Sequence, residues 1–94
     1  METQLKIETV RHYLQNAFPE HEVHDHPGDL QHVFTIYRDG VSREVTVWRS
    51  FLDDRHAADK ITGYLDHHRL VEMIRTAGNR LVIVSNLGIS YEGR

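Results

Sequence analysis

The sequence predicts a single α+β domain over residues 1–94, with helices packed on one face of a mostly antiparallel five-stranded sheet. Two segments carry apolar residues at three- and four-residue spacing, the period of an amphipathic helix. Between them, apolar and polar residues alternate with the period of two that is typical of strands. A short apolar run follows the second helical segment. The predicted order is therefore one helix, three strands, one or two helices and two strands (α-β-β-β-α(-α)-β-β).

The composition suits one small globular domain. Of the 94 residues, 39% are hydrophobic and 27% are charged, and neither a linker nor an internal repeat divides the chain. The absence of cysteine excludes a disulfide scaffold, a thiol nucleophile and thiolate metal sites. No apolar run reaches the roughly 18 residues that a membrane span needs. We expect a cytoplasmic protein that has no contact with a membrane.

The first helix is predicted between Thr3, which can cap its start, and Pro19, which disfavours helical geometry in the preceding residue. Its apolar stripe consists of Ile7, Val10, Tyr13, Leu14, Ala17 and Phe18. Since the opposite side of this helix is polar, we expect the helix to lie on the sheet.

Three strands are predicted within residues 21–49, separated by a turn at His26–Asp29 and by a hairpin at Asp39-Gly40. A two-residue hairpin loop sets the register, so that Phe34 faces Val45. The predicted core face holds Leu30, His32, Phe34, Ile36, Val45 and Val47. The opposite face holds Gln31, Val33, Thr35, Tyr37, Ser42, Glu44, Thr46 and Trp48.

Residues 50–78 are predicted to be helical, with Ser50 capping the start and Gly78 ending the segment. Gly63 weakens the middle and Thr62 could cap a second piece, so one kinked helix and two helices both remain possible. The apolar run Leu81–Val84 predicts a central strand that is buried on both faces. Ile89 and Tyr91 alternate in a final edge strand.

The face that carries Trp48 is the main functional prediction. Large aromatic side chains on an uncovered sheet face are typical of a contact surface. We expect a non-enzymatic interaction module without a cofactor, which forms a homodimer through this face or through the edge strand. The predicted contact residues are Val33, Tyr37, Glu44, Thr46, Trp48, Ile89 and Tyr91. Neither a nucleophile elbow nor a glycine-rich phosphate loop is present, which favours a role other than catalysis.

A metal site is one alternative. His24 and His26 are two residues apart on a predicted strand and share a face with Glu22. Two imidazoles and one carboxylate could hold a divalent ion and support a small metal-dependent enzyme.

Nucleic-acid binding is another alternative. Residues 3–78 share the element order of double-stranded RNA-binding domains, and Arg38, Arg43, Arg49 and Arg55 could form a basic patch. However, residues 50–55 are acidic where those domains carry lysines, and the net charge of −3 opposes binding dominated by phosphate contacts. We therefore expect this function less than the protein interaction.

Overall fold

The structure is a computed structural model that describes residues 2–53, 58–77 and 80–92. It confirms the predicted α+β domain and the predicted order of elements. The elements are α1 (Glu2–Ala17), β1 (Glu22–Pro27), β2 (Gln31–Arg38), β3 (Val41–Trp48), α2 (Arg49–Asp53), α3 (Ala58–His67), α4 (Leu70–Ala77), β4 (Val82–Ser85) and β5 (Gly88–Tyr91). None of the helices in the described ranges is long and apolar enough to cross a membrane.

The five strands form one sheet in the order β1-β2-β3-β4-β5. Neighbouring strands are antiparallel except β3 and β4, which are parallel. This exception follows from the connection, since parallel neighbours need a crossover and the chain between β3 and β4 includes α2, α3 and α4. Strands β1 and β5 form the two edges.

The hairpin between β2 and β3 has the predicted register, with Phe34 opposite Val45 and Ile36 opposite Arg43. Asp39 and Gly40 both have positive φ, at 53° and 83°. Positive φ at both central residues defines a type I′ turn, whose twist matches that of the flanking strands. The turn therefore fixes which side chains of both strands face the helices.

The core lies between the helices and one face of the sheet. Its buried strand residues are Phe34, Ile36, Val45, Val47, Val82 and Val84, and the helices contribute Ile7, Val10, Leu14, Phe18, Phe51, Leu52, Ile61, Leu65, Leu70, Ile74 and Ala77. The predicted stripe of α1 is thus confirmed. Leu30 was wrongly assigned to this core: it is 65% exposed, because β2 begins one residue later and Leu30 belongs to the turn.

In the part of the second helical region that the structure describes, α3 and α4 are separated by a break at Arg69 instead of Gly63. Arg69 adopts a left-handed φ of 58°, which ends α3. Its carbonyl oxygen then accepts the first backbone hydrogen bond of α4, from the amide of Met73 at 3.0 Å. Gly63 and Thr62 lie inside α3, so neither marks a boundary.

Three predictions about helix ends have different outcomes. Helix α1 ends at Ala17, as Pro19 predicts, but it begins at Glu2, so Thr3 lies inside the helix and is not its cap. Helix α2 begins at Arg49, one residue before the predicted cap Ser50. Gly78 lies outside the described residues.

Strand β4 was predicted to be buried on both faces, and the structure corrects this. Val82 and Val84 are buried against the helices, whereas Ile83 and Ser85 are only half-buried on the opposite face. One face of the sheet is therefore uncovered along β4 as well as along β2 and β3.

Candidate interaction surface

The sheet face that points away from the helices is the candidate functional surface, and we call it the open face. Strand alternation and register assign to it Glu22, His24, His26, Gln31, Val33, Thr35, Tyr37, Ser42, Glu44, Thr46, Trp48, Ile83, Ser85 and Ser90. The five predicted contact residues of β2 and β3 all lie on this face.

The aromatic side chains of the open face are accessible. Trp48 is 37% exposed and Tyr37 is 42% exposed. Val33 and Ile83 are half-buried and flank Thr46, which is only 8% exposed. Because Thr46 is recessed between two larger neighbours, contact with another surface would be made mainly by Val33, Ile83, Trp48 and Tyr37.

Ile83 belongs to the open face although the sequence analysis did not select it. Its register places it beside Thr46 on β3 and Ser90 on β5. A continuous apolar run such as residues 81–84 does not show which of its members faces the helices. The pairing of β4 with β3 was needed to place this side chain.

Hydroxyls are the most frequent polar groups of the open face. Glu44 is the exposed acid of β3, and the position that pairs across to it on β2 is Thr35. The set contains no lysine or arginine. Hydroxyl groups both donate and accept hydrogen bonds, so this face can form hydrogen bonds with a similar surface.

Ile89 and Tyr91 lie on the other side of the sheet, packed against the core. The Tyr91 hydroxyl donates a hydrogen bond to the carbonyl oxygen of Met73 at 3.1 Å and lies 2.7 Å from Oγ1 of Thr76. The guanidinium carbon of Arg80 lies 3.9 Å from the centre of the Tyr91 ring, over its face. Ile89 and Tyr91 therefore pack on the helix-covered side and do not extend the surface around Trp48.

The three candidate metal ligands are only partly brought together. Nε2 of His24 lies 3.0 Å from Oε1 of Glu22, and both side chains are mostly exposed. His26 is two residues further along β1, beside Val33. Across residues 2–53, 58–77 and 80–92, no three His, Asp or Glu side chains have an arrangement that could hold an ion.

The candidate arginine patch is divided between separate places. Nη1 of Arg38 lies 2.6 Å from Oε1 of Glu20, and Arg43 donates to the carbonyl oxygen of Ile74. Arg49 is the first residue of α2, directly after β3, and lies about 20 Å from Arg43 at strand spacing. Arg55 lies outside the described residues. The described arginines therefore do not form one continuous basic surface.

Two tyrosines with raised pKa values lie away from the open face. Burial raises the pKa of Tyr13, and the hydrogen bond that its hydroxyl donates to Oδ1 of Asp66 at 2.7 Å raises it further. Burial also raises the pKa of Tyr64, whose hydroxyl donates to the carbonyl oxygen of Ser85. Both hydroxyls join helices to other elements, which is a structural role.

Comparison of the chain with protein-family models, with curated proteins and with solved structures finds no match. The open face is the surface on which a functional proposal can be built, because it combines accessible aromatic rings with an apolar centre.

Proposed function

We propose that the protein is a non-enzymatic interaction module that forms a homodimer through the open face. The observation that carries this proposal is the exposure of Trp48 and Tyr37 on a sheet face that the chain's own helices leave uncovered. Aromatic side chains of this size supply much of the binding energy in protein interfaces.

The apolar centre of the open face provides the driving force for association. Val33 and Ile83 stand on either side of Thr46, and Trp48 is the next residue of β3 on this face. Water leaves these side chains when a second surface covers them, and each square ångström of buried apolar area contributes about 25 cal/mol. Polar groups nearer the edges can remain partly hydrated, as in the rim of an interface.

A second copy of the same face suits this surface better than an acidic partner. An isologous interface brings identical groups together, so its polar groups must be able to pair with their own kind. Thr35, Ser42 and Ser90 satisfy this requirement because a hydroxyl can act as donor or acceptor. Because the open face carries no lysine or arginine, it gives an acidic partner little to recognise.

The size of the open face indicates a dimer that dissociates on dilution. Five strands at about 4.8 Å spacing, with lengths between about 13 and 26 Å, give roughly 480 Å² for each copy. Two faces would bury roughly 1,000 Å² in total, which is the lower end for specific interfaces. We therefore expect a dissociation constant in the micromolar range.

Sedimentation equilibrium over a range of concentrations tests this proposal. We expect the wild-type mass to approach twice the 11.0 kDa of one chain at high concentration. Trp48→Ala should weaken the dimer at least tenfold, as expected for the loss of a large aromatic contact residue. Leu87→Ala is the matched control, because Leu87 is fully exposed but lies in the turn between β4 and β5.

The Leu87→Ala control distinguishes loss of a contact on the open face from loss of any exposed apolar side chain. Leu87→Ala should leave the dissociation constant unchanged. A wild-type protein that stays at one chain mass at all concentrations would contradict the proposal. Equal weakening by Trp48→Ala and Leu87→Ala would place the dimer contact elsewhere.

A further inference from the structure

A cleft of about 420 Å³ opens where the end of α1 meets β3 and α4, on the opposite side of the sheet from the open face. Its walls include Phe18, Pro19, Glu20, His21, Arg43 and Arg75. This volume falls within the range of small-molecule sites, and the walls combine apolar surface with two guanidinium groups. We call it the Arg43–Arg75 cleft.

Arg43 is half-buried, and the contact that holds it is with a neutral group. Its Nη1 donates a hydrogen bond to the carbonyl oxygen of Ile74 at 3.0 Å. Within the described ranges, no carboxylate forms an ion pair with Arg43. Partial burial of a cation without a counter-charge is unfavourable. The bond to Ile74 fixes the guanidinium while leaving other donors available to a ligand.

Arg75 supplies the second positive charge from α4. Its guanidinium carbon lies 5.7 Å from the centre of the Phe18 ring, a cation–π distance. Arg75 is exposed, and no carboxylate of the described residues pairs with it either. The cleft therefore presents two cations from separate elements, although the whole chain is negatively charged.

The acidic group on the wall is already engaged. Oε1 of Glu20 lies 2.6 Å from Nη1 of Arg38, so an arginine that is not part of the cleft wall compensates its charge. Glu20 consequently does not neutralise Arg43 or Arg75. The local charge that faces the cleft is positive.

The rim of the cleft is held in place before any ligand arrives. The side-chain amide of Gln15 donates to the carbonyl oxygens of Phe18 and His21, at 3.3 and 2.9 Å. The backbone amide of His21 also donates a hydrogen bond to the carbonyl oxygen of Phe18. The rings of Phe18 and His21 pack edge to face, with their centres 5.5 Å apart. A rim fixed in this way reduces the ordering cost of binding.

We propose that the Arg43–Arg75 cleft binds a small organic anion. A carboxylate or phosphate group would accept hydrogen bonds from both guanidinium groups, whose planar forks match two oxygens of such a group. An apolar part of the ligand would lie against Ala17 and Pro19. This site is separate from the open face, so either proposal can fail without the other.

Titration of the 15N-labelled protein with phenyl phosphate, benzoate and inorganic phosphate, followed by amide chemical shifts, tests the site. We expect saturable shifts around residues 17–21, 43 and 75 with at least one aromatic probe, and weaker binding of inorganic phosphate. Tighter binding of phenyl phosphate than of benzoate would assign a phosphate ligand, and the reverse order would assign a carboxylate.

Arg75→Gln should weaken probe binding about tenfold, the usual effect of losing a charge-assisted hydrogen bond. Arg75 is exposed, so this variant should fold normally. Arg43→Lys keeps the charge but removes the fork, and should weaken binding as well. Arg69→Gln is the matched control: it removes an exposed arginine outside the cleft and should leave affinity unchanged.

The proposal is overturned if none of the three probes gives saturable shifts at the cleft. It is also overturned if Arg75→Gln and Arg69→Gln reduce affinity equally, because binding would then depend on overall charge alone.

Discussion

Nε2 of His32 lies 2.7 Å from Oδ2 of Asp25 on the helix-covered side of the sheet. The His32 side chain is 6% exposed and that of Asp25 is 29% exposed. Nε of Arg11, on α1, lies 3.7 Å from the other carboxylate oxygen of Asp25. This chain of three polar side chains connects the first helix to edge strand β1 and to β2.

Removing Asp25 should be costly because it leaves a buried imidazole without this partner. We expect Asp25→Ala to lower the free energy of unfolding by about 1–3 kcal/mol. Glu22→Ala is the matched control, since Glu22 contacts the exposed His24 on the same strand and a surface pair contributes about 0–1 kcal/mol. Urea unfolding at low protein concentration measures both, and equal losses would contradict the prediction.

Tyr13 should make the protein less stable in alkali. Burial and the contact with Asp66 raise its pKa in the folded state above the ordinary value of about 10. The unfolded chain then releases this proton first, so the stabilisation is complete below about pH 10 and is lost as pH rises above it. We expect Tyr13→Phe to unfold with a shallower alkaline loss of free energy.

Free energies of unfolding at pH 8 and pH 11 test this prediction. At pH 8, Tyr13→Phe should cost about 0.5–1.5 kcal/mol through the lost hydrogen bond to Asp66. Asp66→Asn retains an acceptor but removes the negative charge, so it should also reduce the alkaline loss. Equal alkaline losses in wild type and Tyr13→Phe would contradict the assignment.

Arg69 occupies a backbone conformation that suits glycine better. Its φ of 58° carries a steric cost for a side chain with a Cβ atom. We expect Arg69→Gly to raise the free energy of unfolding by about 0.5–1 kcal/mol, after the entropy that glycine adds to the unfolded chain. Arg69→Val, a β-branched residue, should lower it. A loss of stability in Arg69→Gly would contradict the predicted strain.

At Gly63, replacing glycine by a residue with a side chain should stabilise the protein. It lies inside α3, and an added Cβ would meet no heavy atom within 4 Å. Gly63→Ala should therefore stabilise the helix by about 0.5–1 kcal/mol. Thermal unfolding of the single variant measures the gain, and a destabilised protein would show that the space around Gly63 is restricted.

Glu44 should limit the affinity of the proposed dimer. Two copies of the open face bring two such carboxylates into one interface, with no lysine or arginine on that face to compensate them. Glu44→Gln should tighten the dimer by about threefold, a gain of about 0.6 kcal/mol. Glu72→Gln removes an exposed charge from α4 and should have no effect. An unchanged or weaker dimer in Glu44→Gln would argue against burial of this side chain.

The strand region could be predicted because local signals determine it. Asp39-Gly40 specifies the hairpin turn, and the alternation on both sides then assigns each side chain to a face. The break at Arg69 could not be found in this way, since nothing in its local sequence marks a left-handed residue and Gly63 carries the stronger local signal. Glycine lowers helix propensity by only about 1 kcal/mol, so α3 can continue through Gly63.

The open face and the Arg43–Arg75 cleft also differ in how far the sequence alone predicts them. Trp48 and Tyr37 follow from strand alternation alone, so the open face was predicted from the sequence. Arg43 and Arg75 are 32 positions apart and meet only through the crossover from β3 to α4. Sequence spacing carries no information about such a pair, and the cleft became visible only in the folded chain.

The emission of Trp48 tests the proposed dimer most directly, because it is the only tryptophan and lies on the open face. The emission maximum would be recorded while the protein is diluted from about 100 to about 0.1 μM, a range that spans the expected dissociation constant. We predict a shift to longer wavelength on dilution, as water reaches the indole ring. A maximum that stays constant over this range would contradict a micromolar homodimer through the open face.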